Sequence, residues 1–186
     1  MKSKFFTDWL RTKMKSRKFK AAFAAQDLRV RLALHLAEER RKRGFTQALV
    51  AASGDIVVGD PPPGEAAWKI GVAPLEKPDQ PPSRFVWLKN AAVSTSGDAE
   101  QFVEIDGKRY SHIVDPKTGL GLVGRKSVTV VAPRGVLADS LATAFCVMGP
   151  KKAIALADGL DDCSVLILVK EGDKVREHAS KRWSEK

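Results

Sequence analysis

The sequence predicts an α+β domain built mainly of antiparallel strands, and three observations carry that prediction. From Gln47 onward, short runs of β-branched and aromatic residues alternate with turn residues. Asp106-Gly107 separates two such runs, and Asp-Gly is among the strongest two-residue hairpin signals. Helical patterns occur at the start and as one late pair rather than between successive strands, which is not the βαβ order of a doubly wound sheet.

Residues 21–43 read as one helix. Ala25, Leu28, Leu32 and Leu36 recur at helical spacing, and Glu38 and Glu39 each stand four residues before a base, Lys42 and Arg43. Arg40 to Arg43 complement the negative end of the helix dipole, and Gly44 suits a left-handed cap. Strands follow at 48–52, 56–58, 68–72, 85–88 and 91–93. Residues 61–64 and 74–83 read as loops, because proline removes ladder donors. The hairpin pairs 101–105 with 109–113, and 127–132 is a further strand. Helices at 137–148 and 150–158 are broken apart by Gly149-Pro150. Strands at 164–169 and 175–178, around Gly172-Asp173, close the chain.

Charge is distributed unevenly. Residues 1–43 hold 14 Lys/Arg against 4 Asp/Glu, which is the whole formal charge of +10 and leaves 18 against 18 for the rest. Nucleic-acid binding calls for basic residues over a folded face with aromatic platforms, which the body lacks. No apolar run approaches the roughly 20 residues of a membrane span. Residues 1–20 interleave bases with Phe5, Phe6, Trp9, Leu10, Met14 and Phe19, without the continuous apolar stretch and cleavage site of a secretory signal. They read as a basic tail, disordered or foreign to the domain, and the domain itself as 21–186. Cys146 and Cys163 lie in apolar surroundings without metal-ligand spacing and read as buried thiols.

Four segments carry chemistry. In Ser53-Gly54-Asp55, small residues let a ligand approach the backbone and Asp55 accepts hydrogen bonds, although such a pair also serves as a plain turn. Ser94, Thr95, Ser96 and Gly97, before Asp98, read as a loop at a strand end. They form either a nest for phosphate oxygens or an ordinary Ser/Thr turn. His112 and Asp115 flank the end of the hairpin strand, before the turn enforced by Pro116 and Thr118-Gly119. The imidazole is suited to proton transfer or phosphate contact, and equally to a structural role. Asp139 and Thr143 stand at i and i+4 on a helix and offer hard oxygen ligands suited to Mg²⁺. Their structural alternative is a charge near the helix N-terminus and a hydroxyl bonded to its own helix.

From about Gly44 to His178 the order of these segments resembles the latter half of the ApbE family. The matching elements are Ser53-Gly54-Asp55, Trp68, Ser94 to Asp98, His112-Ile113-Val114-Asp115-Pro116-Lys117-Thr118-Gly119 and Ala138 to Thr143. The resemblance implies an ApbE-like, T-fold-like arrangement of mixed α/β layers, truncated at the N-terminus. It implies a magnesium-dependent FAD:protein FMN transferase, moving FMN from FAD to a Thr or Ser hydroxyl of a client flavoprotein with release of AMP. His112 and Asp115 would then be catalytic, with Gly54, Asp55, Ser94, Thr95, Ser96, Gly97, His112 and Asp115 around the FAD. Asp139 and Thr143 would hold the Mg²⁺. Two departures stand out: Ser53 replaces the first glycine of a Gly-Gly-Asp pattern, and Ala24 to Arg29 stand where the family has a Gly-Gly-Ile-Ala-Lys-Gly-like loop. With the first lobe missing, the alternative is a non-catalytic flavin- or partner-binding remnant. The family commonly works anchored outside the cytoplasmic membrane, whereas the chain as read shows no export signal.

Overall fold

A computed structural model describes residues 49–52, 54–75, 80–82, 84–98 and 102–184. All of them belong to the unit Gln47–Lys186. The basic tail, the helix expected at 21–43, the 24–29 stretch and Ser53 lie outside the described residues.

The backbone of the fold is a six-stranded sheet in the order β1-β2-β5-β9-β10-β11. Its strands are β1 Leu49–Ala52, β2 Asp55–Val58, β5 Ala91–Gly97, β9 Lys126–Ala132, β10 Ser164–Glu171 and β11 Lys174–Ala179. Every neighbouring pair is antiparallel, as the hairpin-rich sequence predicts. The chain leaves this sheet three times. Between β2 and β5 it makes a hairpin of β3 Trp68–Val72 and β4 Arg84–Leu88. Between β5 and β9 it makes a three-stranded sheet of β6 Phe102–Ile105, β7 Lys108–Val114 and β8 Gly121–Val123. Between β9 and β10 it makes helices α1 Gly135–Met148 and α2 Pro150–Asp158.

Strand alternation sorts these excursions onto the two faces of the sheet. One face carries Ala92, Val128, Val130, Ala132, Val165 and Ile167, and it packs against Ala138, Ala142, Phe145 and Cys146 of α1 and Ala153 and Ala157 of α2. The other face, with Val58, Val93 and Val131, receives Ile70, Val72, Val86 and Leu88 of β3 and β4. Leu75 and Trp183 cover Leu166 and Leu168 on that same side. Four of the helix residues on the first face are alanines, so the helices sit close to the sheet; Phe145, fully buried, is the largest side chain they insert.

The hairpin turn takes the form its sequence predicts, with Asp106 at φ 50° and Gly107 at φ 70°. Two features differ from the sequence prediction. First, β5 does not stop at Val93. It runs through Ser94, Thr95 and Ser96 to Gly97, each opposite a residue of β9 from Val130 to Ser127. Valine and threonine suit a pleated surface, and β9 supplies the ladder partners that a local reading cannot see. Second, β8 is an added strand. The backbone N–H of Gly119 donates to the Asp115 carbonyl at 2.8 Å, and that of Asp115 donates to the Leu120 carbonyl at 2.9 Å, folding the chain back beside β7. A Cβ on Gly121 would stand 2.3 Å from the Ser111 carbonyl oxygen, so only glycine permits this approach.

Candidate active site

Four of the candidate residues, Asp55, Ser96, Asp139 and Thr143, meet where α1 crosses β2 and β5. Pairing of Asp55 with Ser94 puts both on the helix-facing side of the sheet, and the period of two adds Ser96 to that side. Above them, Ala138 and Ala142 of α1 are fully buried against the sheet, and Asp139 and Thr143 each follow one residue later at the flank of that stripe. A Cβ on Gly135 would lie 2.9 Å from Val57 Cγ2, so the helix begins in close contact with β2. The result is a seam of oxygen atoms between helix and sheet.

Two observations define the seam. Ser96 Oγ and Thr143 Oγ1 are 3.2 Å apart and share a hydrogen bond. Thr143 therefore reaches across to β5. Asp139 is exposed along the helix flank, yet burial of its carboxyl and, second, the negative charge of Asp55 push its pKa above the ordinary carboxylate value. No acidic residue occupies the first turn of α1, so the use of Asp139 as a complement to the helix N-terminus does not apply. A carboxylate whose charge is disfavoured in this way, beside two hydroxyls, forms a set that a cation would relieve.

The Ser94 to Gly97 segment is not the loop that the sequence predicts. Its backbone groups are in the ladder with β9, so the nest proposed for phosphate oxygens is not formed there. The side chains divide by face: Ser94 is buried beneath α1, Ser96 joins Thr143, and Thr95 turns to the opposite side, where Oγ1 is 2.9 Å from Thr129 Oγ1. Gly54, at φ 91°, forms the turn into β2, and a Cβ there would stand 3.6 Å from the Thr95 carbonyl oxygen.

His112 and Asp115 arrive on a different element. Along β7, Ser111 and Ile113 point inward while His112 and Val114 are exposed, as alternation predicts. Ile113 joins the core cluster that contains Ala138 and Ala142, which ties this strand to α1. Asp115 Oδ1 accepts the Lys117 N–H at 2.8 Å, so this carboxylate shapes the turn that follows β7.

Sequence reasoning missed the group behind the site. Asp98 is buried, and its Oδ2 lies 2.8 Å from Nε of Arg109 while its Oδ1 accepts the Lys126 N–H at 3.0 Å. The signal was available: Arg109 occupies an inward position of β7, and an inward arginine needs a buried partner. Cys146 and Cys163 are buried free thiols, as predicted. Burial, with Asp98 adding to it and Lys126 opposing it, pushes Cys146 up to about 12.

A helix-backed antiparallel sheet with an oxygen-lined seam along α1 defines an α+β protein whose site is suited to a hard cation and phosphate oxygens. The ApbE family model matches residues 32–167, and the chain belongs to that family. It is 32% identical to the FAD:protein FMN transferase of Klebsiella pneumoniae over 142 residues, which are 75% of this chain and 40% of that protein. The Escherichia coli K12 FAD:protein FMN transferase is 31% identical over 145 residues, 76% of this chain and 40% of that one. In structure it is similar to the Pseudomonas stutzeri flavinyl transferase ApbE in apo form, with a TM-score of 0.65 and 32% identity over 81% of this chain and 46% of that one. The flavin transferase ApbE from Vibrio cholerae gives a TM-score of 0.65 at 33% identity, over 78% and 46%. The chain thus spans about two fifths of the length of these curated relatives.

Proposed function

We propose that this chain serves in FMN transfer from FAD to a Thr or Ser hydroxyl of a client flavoprotein, with AMP as the other product. The observation that carries the reading is the convergence of Asp55, Ser96, Asp139 and Thr143 at one helix–sheet seam of an ApbE-family chain. In the reaction, the acceptor hydroxyl oxygen attacks the phosphorus of the FMN half. The bond from that phosphorus to the bridging oxygen breaks, and AMP leaves with the electron pair. The hydroxyl proton passes to a base, for which the exposed imidazole of His112 is suited. Phosphoryl transfer asks mainly for positioning and charge neutralisation.

The donor set at the seam fits Mg²⁺. It is all oxygen, and among the described residues no group of three or more His, Cys, Asp or Glu gathers, so most of the coordination would fall to water and substrate oxygens. Asp139 and Thr143 would hold the ion, with Asp55 and Ser96 beside them. When bound, Mg²⁺ would neutralise phosphate charge and act as a Lewis acid. Gly54 would border the FAD from the sheet side, whereas Ser94, buried beneath α1, would support the strand from within. Thr95, on the opposite face and bonded to Thr129, would support the strand and not touch the ligand.

The test is incubation of the chain with FAD, Mg²⁺ and a threonine-bearing acceptor domain. Fluorescent flavin retained on the acceptor after denaturation, and lost in Asp139→Ala and His112→Ala, supports transfer. A folded sample that binds FAD and leaves the acceptor unlabelled favours the flavin-binding remnant instead.

A further inference from the structure

We propose that Asp98 is a positioning residue: its buried carboxylate joins the strand that carries His112 to the sheet and helix that carry Asp139 and Thr143. The proposal rests on the FMN-transfer reading above for its kinetic consequence, and on the geometry alone for its structural one.

Asp98 directly follows β5, and four contacts converge on it. Its backbone N–H donates to the Lys126 carbonyl at 3.3 Å, and its Oδ1 accepts the Lys126 N–H at 3.0 Å, which locks the end of β5 to the start of β9. Its Oδ2 stands 2.8 Å from Nε of Arg109, whose N–H is not aimed at the oxygen, so this is an ion pair and not a formed hydrogen bond. Arg109 Nη2 donates in turn to the Asp98 carbonyl. The guanidinium carbon lies 3.2 Å from the centre of the Phe102 ring, so the arginine is held between β6 and Asp98. The Asp98 side chain is only 3% exposed, so the ion pair is only weakly screened by solvent.

The same cluster touches α1. Lys126 Nζ donates to the Cys146 carbonyl at 3.4 Å, and Cys146 Sγ donates to the Ser96 carbonyl at 3.5 Å. Cys146 lies one turn beyond Thr143 on α1. Arg109 lies three residues before His112 on β7 and on the opposite face. Asp98 therefore touches neither candidate site group, and it stands between the elements that present them. Ile113, in the cluster that holds Ala138 and Ala142, also ties β7 to the helix layer by packing. The charge pair, with the Arg109 Nη2 bond to the Asp98 carbonyl, adds a polar tie at one place along β7.

Asp98→Asn tests the proposal, because it keeps an acceptor for the Lys126 N–H and removes the charge that Arg109 pairs with. In transfer assays on the full chain, at a temperature where melting shows it folded, kcat should fall about tenfold to a hundredfold, with KM for FAD within about threefold. In a His112→Ala background the same change should cost nothing further, since its effect is exerted through His112. Amide hydrogen exchange on wild type and Asp98→Asn gives the second arm. Exchange in residues 108–114 should rise at least tenfold while residues 164–169 stay protected. Full kcat in folded Asp98→Asn, or an equal further loss in the His112→Ala background, overturns the kinetic role. Unchanged exchange in 108–114 overturns the joint itself. If the wild-type chain transfers no flavin, the functional reading fails and the exchange arm still decides the joint.

Discussion

Ala142 offers the sharpest perturbation of the seam. It is fully buried between α1 and the sheet, and it lies one residue before Thr143, whose hydroxyl meets Ser96 at 3.2 Å. Ala142→Val adds two methyl groups at a point where the helix rests on close-packed neighbours. Overpacking of this kind costs about 1–3 kcal/mol, mostly as a shift of helix away from sheet. For a domain of this size the melting temperature should drop by about 2–12 °C, leaving the protein folded at 20 °C. A shift of about 1 Å suffices to part Thr143 from Ser96 and Asp139 from Asp55, and misplacement on that scale costs about a hundredfold in rate. Ala144→Val is the control: it is exposed on the same helix and loses only about 0.5 kcal/mol of helix propensity. Thermal melting and covalent flavin retention on an acceptor domain, measured on both variants at 20 °C, complete the comparison. Equal transfer by the two variants would refute the idea that helix–sheet spacing sets the site.

Thr143→Val keeps the shape and removes the hydroxyl. It should cost about 1 kcal/mol through the lost Ser96 bond, seen in denaturant titrations, and should abolish most of the rise in melting temperature produced by Mg²⁺. Asp139 has a folded-state pKa above its ordinary 3.8, so the folded protein holds that proton more tightly than the unfolded chain does. The stability contribution is therefore present at low pH and lost as pH rises from 3.8 through the raised value. In metal-free buffer Asp139→Asn should melt higher than wild type at pH 7, and the gap should close below pH 3.8 in a series of melts. Cys146, pushed up to about 12 and buried, should resist thiol reagents at pH 8 in the folded protein and react within minutes after denaturation, as mass spectrometry would count.

The elements legible in the sequence are those whose signals are local. Asp106-Gly107 announces its hairpin because both turn residues take positive φ. Gly149-Pro150 separates α1 from α2 because proline starts a helix well and cannot continue one. Ser94 to Gly97 mislead, because hydroxyl residues followed by glycine look like a turn until a partner strand is present to take their backbone bonds. β8 escapes for the same reason: three residues carry no period, and the strand exists because Gly121 fits against Ser111.

For the site, the residue types and their order along the chain suffice to single out Asp55, His112, Asp139 and Thr143 as candidates and to point to the ApbE family. The i, i+4 spacing by itself places Asp139 and Thr143 on one flank of α1. Contacts between elements are a different matter. That Thr143 reaches Ser96, that Asp55 presses on Asp139, and that Thr95 faces away all follow from which strand pairs with which, at what register, and which face α1 covers. Asp98 and Arg109 make the point most fully. They stand apart in sequence with nothing to connect them, and they meet because a buried charge must find its counter-charge, which the folding of β7 against the end of β5 alone can supply.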